Sequence, residues 1–92
     1  MESVYQKENE LRMIELLNLK NKQAFIDFYE YYAPALYGTI LLKANNNYNA
    51  GLALQNTFRE IWQIRNVSPT YRKFFLWMHT IALRNAIEAN VV

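Results

Sequence analysis

The sequence predicts an all-α domain in which four helices pack into a compact, bundle-like arrangement. Apolar residues recur at three- and four-residue spacing along most of the chain, which is the period of one helix face. Only two glycines and two prolines occur in the 92 residues, and no run alternates apolar with polar residues as a half-buried strand would. Helices with one apolar stripe bury their stripes against each other, so we expect one domain over residues 1–92.

The first two predicted helices lie in the N-terminal half. The stripe of the first helix consists of Leu11, Ile14, Leu16, Leu17 and Leu19, and Lys20-Asn21-Lys22 ends it. The stripe of the second helix consists of Phe25, Phe28, Tyr29, Tyr32, Leu36 and Ile40. Pro34 is expected to kink this helix, because its ring removes one backbone hydrogen bond. The asparagine-rich run 45–49 should end it and start the third helix, with Asn47 or Asn49 as the N-cap.

The third and fourth predicted helices complete the domain. The third should turn Leu54, Phe58, Ile61 and Trp62 inward and leave Gln55, Asn56 and Arg59 exposed. The fourth should begin with Ser68 as N-cap and Pro69 as its first residue. Its inner stripe is predicted at Phe74, Trp77, Met78, Ile81 and Ile87. The 14 aromatic residues are expected to supply most of the core.

Composition argues against catalysis, cofactors and membranes. The chain has no cysteine, a single histidine, His79, and a single aspartate, Asp27, so it offers neither a nucleophile triad nor a metal cluster. We therefore expect no enzyme activity, no cofactor and no bound metal. The first ten residues lack the apolar core of a signal peptide, and no apolar run approaches the ~20 residues of a transmembrane helix. A cytoplasmic protein is the expectation.

Three segments carry a resemblance to a known family. Residues 24–34 read Ala-Phe-Ile-Asp-Phe-Tyr-Glu-Tyr-Tyr-Ala-Pro, residues 49–62 read Asn-Ala-Gly-Leu-Ala-Leu-Gln-Asn-Thr-Phe-Arg-Glu-Ile-Trp, and residues 77–88 read Trp-Met-His-Thr-Ile-Ala-Leu-Arg-Asn-Ala-Ile-Glu. In this order they resemble region two of the extracytoplasmic-function sigma factors, sigma-70-type subunits that direct bacterial RNA polymerase to promoters. The resemblance spans residues 10–88.

The resemblance implies two binding surfaces. One would contact the clamp helices of the large subunit of core RNA polymerase, through Asn49, Leu52, Gln55, Asn56 and Arg59. The other would hold the non-template single strand of the minus-ten promoter element, through Arg65, Asn66, Ser68, Tyr71, Arg72, Lys73 and His79. The chemistry suits single-stranded DNA, since cations pair with phosphates and tyrosine stacks on bases. Residues 59–92 hold five basic and two acidic groups, so positive charge collects there.

The chain departs from the family pattern at functional positions, which leaves a second interpretation open. Asn49, Gly51, Leu52 and Asn56 occupy the acidic positions of the family's third helix. The family's second domain, a helix-turn-helix that reads the minus-thirty-five element, has no counterpart in these residues. The alternative is a sigma-derived protein-interaction module that does not read promoters. It would bind polymerase or an anti-sigma factor, or associate with itself.

Overall fold

All regular secondary structure in the described part of the chain is helical. The computed structural model describes residues 11, 12, 14, 15, 17–64 and 71–91, with only the backbone described at 71–73 and 75. Three helices are defined: α1 at Lys22–Leu41, α2 at Asn47–Gln63 and α3 at Tyr71–Ala89. Residues 11, 12, 14, 15, 17 and 18 are also helical, and no described residue lies in a strand. The all-α class is therefore confirmed, but the predicted count of four helices is not.

The described helices correspond to the second, third and fourth predicted helices. None of them is long and apolar enough to cross a bilayer. α1 continues through Pro34 to Leu41. The predicted N-cap Ser68 and the first helical position predicted at Pro69 lie outside the described residues.

Asparagine side chains fix where α1 and α2 begin. Asn21 Oδ1 accepts a hydrogen bond from the backbone N–H of Ala24 at 2.9 Å. Asn46 Oδ1 accepts one from the backbone N–H of Asn49 at 2.8 Å, which satisfies a donor that the helix itself leaves unpaired. The prediction of Asn47 or Asn49 as N-cap is thus wrong. Asn46 is the residue with the extended backbone (φ −156°, ψ 172°) that an N-cap requires.

The core lies where the three helices meet, and its centre is aromatic. Phe28 on α1 is fully buried. Its ring centroid lies 4.8 Å from that of Tyr32, 5.9 Å from that of Phe58 on α2 and 5.8 Å from that of Phe74 on α3. Ile14 is also buried, at 1% exposure, so the segment before α1 contributes to the same core.

The predicted inner stripe of α3 needs one correction. Ile87 is 53% exposed, whereas Asn85 is 6% exposed. The buried stripe continues from Met78 through Ile81 and Ala82 to Asn85 and Ala86, at three- and four-residue steps that place position 87 about 100° off the stripe. The Asn85 amide is tolerated there because it donates to the carbonyl of Ile81 at 3.1 Å.

Candidate functional site

The residues predicted to bind polymerase lie along one side of α2. At about 100° per residue, positions 49, 52, 55, 56 and 59 fall within an arc of about 120°. Gln55, Asn56 and Arg59 are exposed, as the helical spacing predicted, and Asn49 and Leu52 are half-buried. We call Gln55, Asn56 and Arg59 the α2 row.

Asn49 differs from the α2 row because its amide is engaged within the fold. Its Nδ2 donates to Asn90 Oδ1 at 3.2 Å. Asn90 Oδ1 also accepts from the backbone N–H of Asn45 at 2.8 Å, and Asn90 Nδ2 donates to the carbonyl of Lys43 at 2.6 Å. These hydrogen bonds connect the end of α3 to the α1–α2 connection. The Asn49 amide therefore contributes to the fold itself, unlike the side chains of the α2 row.

A groove of about 740 Å³ lies between α1 and α2, beside the α2 row. Its walls come from one stripe of each helix: Lys22, Phe25, Ile26, Tyr29, Gly51, Leu54, Gln55, Phe58, Arg59 and Trp62. Gln55 and Arg59 are therefore shared between the α2 row and the groove. Leu54 and Trp62, which were predicted to lie inside, are half-buried, because one side of each faces this groove.

Aromatic packing gives the groove a fixed shape. The ring centroid of Phe25 lies 4.7 Å from that of Trp62, and the ring centroid of Tyr29 lies 4.6 Å from that of Phe58. Contacts of this kind stabilise the walls without a bound partner. Ile26 is nevertheless 49% exposed and Tyr29 41% exposed, so the groove presents apolar surface to solvent.

The charge around the groove is positive. Lys22 and Arg59 line it, and none of the described lining residues is a carboxylate. Lys20 lies at one end, with its Nζ 5.2 Å from the centroid of the Trp62 ring. The same Nζ donates to the carbonyl of Trp62, and to that of Ile64 at 2.7 Å. Lys20 therefore caps the C-terminus of α2 and adds a third cation near the groove.

The predicted DNA surface falls mostly on parts of the chain that the structure does not describe. Arg65, Asn66 and Ser68 lie outside the described residues, and positions 71–73 form the first turn of α3 with their side chains outside the description. The groove itself is lined by residues of α1 and α2 and by none of the residues predicted to bind DNA.

His79, also predicted to contact DNA, packs between α3 and α1. Its Nδ1 lies 2.8 Å from Thr39 Oγ1, within hydrogen-bonding distance. Partial burial lowers the pKa of His79 below its usual value of 6.5 because desolvation disfavours the charged imidazolium. The ring therefore becomes charged less readily near pH 7 than an exposed histidine, which weakens its attraction to a phosphate.

Arg84 on α3 lies in the third of the segments that carry the sigma-factor resemblance, and its charge is compensated. Its guanidinium forms an ion pair with Glu60 of α2 and another with Glu88, at 3.7 Å. The Asn85 amide lies 3.3 Å from Thr57 Oγ1 beneath this pair. Arg84 thus links α2 to α3. Because its guanidinium is already paired with carboxylates, it is less available to a DNA phosphate.

Helical spacing alone did not reveal the groove. From the sequence, Phe25 and Tyr29 were expected in the core, and no binding role was expected for Lys22 or Ile26. The sequence did contain a signal for the groove. Positions 22, 25, 26 and 29 form a second stripe at helical spacing, beside the buried stripe of α1.

Comparison with protein-family models, with curated proteins and with solved structures found no match to this chain. Within the described part of the chain, no three histidine, aspartate or glutamate side chains converge as metal ligands would. The functional interpretation therefore depends on the sequence motifs and on the geometry above.

Proposed function

We propose that this chain is a sigma region-two-like domain that binds core RNA polymerase and recognises the minus-ten promoter element. The observation that supports this most is the position of the α2 row. Residues of the helix with which the family would contact the polymerase clamp are exposed, and the matching motif residue Phe58 is 3% exposed. On this proposal the protein acts in the cytoplasm and catalyses no reaction.

The α2 row would contact polymerase mainly through hydrogen bonds. Gln55 and Asn56 each carry an amide that donates and accepts, and Arg59 is the single charge of the row. Since the family's acidic positions hold neutral residues here, electrostatic attraction to the clamp is reduced. We expect slower association and weaker salt dependence than an acidic surface would give.

Promoter binding would follow from uncompensated positive charge after α2. Between Gln63 and Ile87 the sequence contains Arg65, Arg72 and Lys73 and no acidic residue; Arg84 also lies there, but Glu60 and Glu88 compensate its charge. Such a segment attracts a phosphate backbone. Tyr71 and Asn66 would add a stacking face and hydrogen bonds to an unpaired base, so single-stranded DNA should bind better than duplex.

The test is paired binding to core polymerase and to a fluorescein-labelled minus-ten oligonucleotide. Gln55→Ala with Asn56→Ala should weaken polymerase binding because both amides of the α2 row are lost, and it should leave the melting temperature nearly unchanged because both residues are exposed. Asn47→Ala, which removes an exposed amide of α2 outside the α2 row, is the matched control and should have no effect. Arg72→Ala with Lys73→Ala should reduce affinity for the oligonucleotide and flatten its salt dependence. No binding to either ligand by the unchanged chain would refute the proposal.

The alternative function, a protein-interaction module without promoter reading, has its own structural support. The groove is apolar and exposed, Arg84 is paired with Glu60, and His79 is held against Thr39. Retained binding to polymerase or to an anti-sigma factor, with no oligonucleotide binding at low salt, would favour this alternative. The same outcome would remove promoter recognition from the proposal.

A further inference from the structure

We infer that the groove between α1 and α2 is a docking site for an acidic amphipathic helix supplied by another protein. The inference does not rest on the proposed function, because it follows from the shape and charge of the groove alone. It differs from the polymerase contact in two respects. It is centred on Phe25, Phe58 and Trp62 rather than on the α2 row, and it specifies the charge of the partner.

The dimensions of the groove fit a helix. Its α2 wall runs from Gly51 to Trp62, a length of about 16 Å at 1.5 Å per residue, or about three helical turns. A partner helix places apolar side chains on one face at i, i+3 or i+4, and i+7, and such a row fills a groove of this length. An extended peptide is disfavoured, since the described chain has no strand edge to pair with its backbone.

Gly51 provides room for close approach. A Cβ atom added at Gly51 would meet nothing within 4 Å, and the backbone does not have a positive φ. The fold itself therefore gains nothing from glycine here, although glycine is unfavourable inside a helix. The open space at Gly51 continues the groove and lets a partner helix lie against the α2 backbone.

Charge complementarity identifies the partner as acidic. Lys22 and Arg59 stand on opposite walls of the groove, and neither forms an ion pair with a described carboxylate. Lys20 adds a cation beside Trp62. A helix with glutamates or aspartates on both sides of its apolar stripe would pair with these cations, and a basic helix would be repelled by them.

The experiment is a selection that leaves the charge of the partner open. The full chain is screened against a displayed library of amphipathic helices of about four turns. The apolar stripe is fixed, and every flanking position is free to be glutamate or lysine. We expect recovered helices to be acid-flanked and to bind at least about tenfold more tightly than the same peptides with lysine flanks. Amide and indole NMR signals of Phe25 and Trp62 should shift on binding.

Two glycine variants provide the matched control. Gly51→Leu should block the groove and reduce affinity at least about tenfold, while the melting temperature stays the same or rises because glycine is unfavourable inside a helix. Gly38→Leu should have no effect, because Gly38 is also helical with open space around it but does not line the groove. Arg59→Glu should shift the selection towards lysine flanks.

Four outcomes would overturn the inference: no enriched helices, no preference for glutamate over lysine at the flanks of the enriched helices, equal sensitivity to both glycine variants, or a dimer of the chain that Gly51→Leu dissociates. The dimer would mean that a second copy fills the groove. Core polymerase and oligonucleotide binding by the unchanged chain are measured in parallel. Binding of acid-flanked helices without binding of polymerase or the oligonucleotide would refute the proposed function alone. Binding of polymerase without enrichment of acid-flanked helices would refute this inference alone.

Discussion

Lys20 offers the sharpest test of how the fold is held together, because its side chain stabilises the folded state whereas its backbone conformation destabilises it. Its backbone has a φ of 59°, a left-handed conformation that costs a non-glycine residue about 1–2 kcal/mol. Its ammonium group caps the carbonyls of Trp62 and Ile64 and lies over the Trp62 ring. For an exposed side chain we take about 1 kcal/mol for the hydrogen bonds and about 0.5 kcal/mol for the ring contact.

Two substitutions separate these effects. Lys20→Met removes the ammonium and keeps the backbone cost, so the free energy of unfolding should fall by about 1.5 kcal/mol and the melting temperature by roughly 6–12 °C. Lys20→Gly also removes the ammonium but relieves the left-handed conformation, so it should lose about 1 kcal/mol less than Lys20→Met. Urea denaturation followed by circular dichroism measures both. Equal stability of Lys20→Met and the unchanged chain, or a lower stability of Lys20→Gly than of Lys20→Met, would refute the reasoning.

Three further predictions concern other contacts. Burial lowers the pKa of His79 in the folded chain, so the unfolded chain protonates this histidine more readily. The free energy of unfolding should therefore fall as pH drops below about 6.5. His79→Gln should flatten that part of the pH–stability curve, measured by thermal melting. Asn85 Nδ2 lies 3.5 Å from Glu60 Oε1 and Asn85 is buried, so Asn85→Asp introduces a buried carboxyl beside a carboxylate, and both effects raise the pKa of the introduced carboxyl. The stability deficit of this variant should therefore grow as pH rises above about 4 in urea titrations, and a pH-independent deficit would contradict this. Asn46→Ala should cost about 1 kcal/mol in chemical denaturation and Asn47→Ala much less, and the reverse order would contradict the observed N-cap.

Sequence periodicity was sufficient for the class of the fold and for most buried positions. Each of the three helices has a phenylalanine on its predicted inner stripe, and these residues meet in the core: Phe28, Phe58 and Phe74. The exposure of Gln55 and Arg59 followed from the same spacing. Periodicity works here because each helix buries one stripe, and a stripe is a local property of the sequence.

Tertiary contacts explain what the sequence could not predict. Asn85 can be buried because Thr57 and the carbonyl of Ile81 satisfy its amide, whereas periodicity alone predicts an apolar residue at a buried position. The role of Lys20 depends on a partner 44 residues away in sequence. The shape of the groove also could not be predicted from the sequence, because the groove is formed by residues of two helices, α1 and α2, and depends on how they pack.

Site-specific crosslinking to core RNA polymerase tests the central claim most directly. A photoreactive residue at exposed position 56 on α2, with exposed position 76 on α3 as its matched control, is irradiated in the presence of core enzyme. We predict that position 56 crosslinks to the clamp helices of the large subunit and that position 76 does not. No crosslink from position 56, or equal crosslinking from both positions, would contradict the assignment of α2 as the polymerase-binding helix.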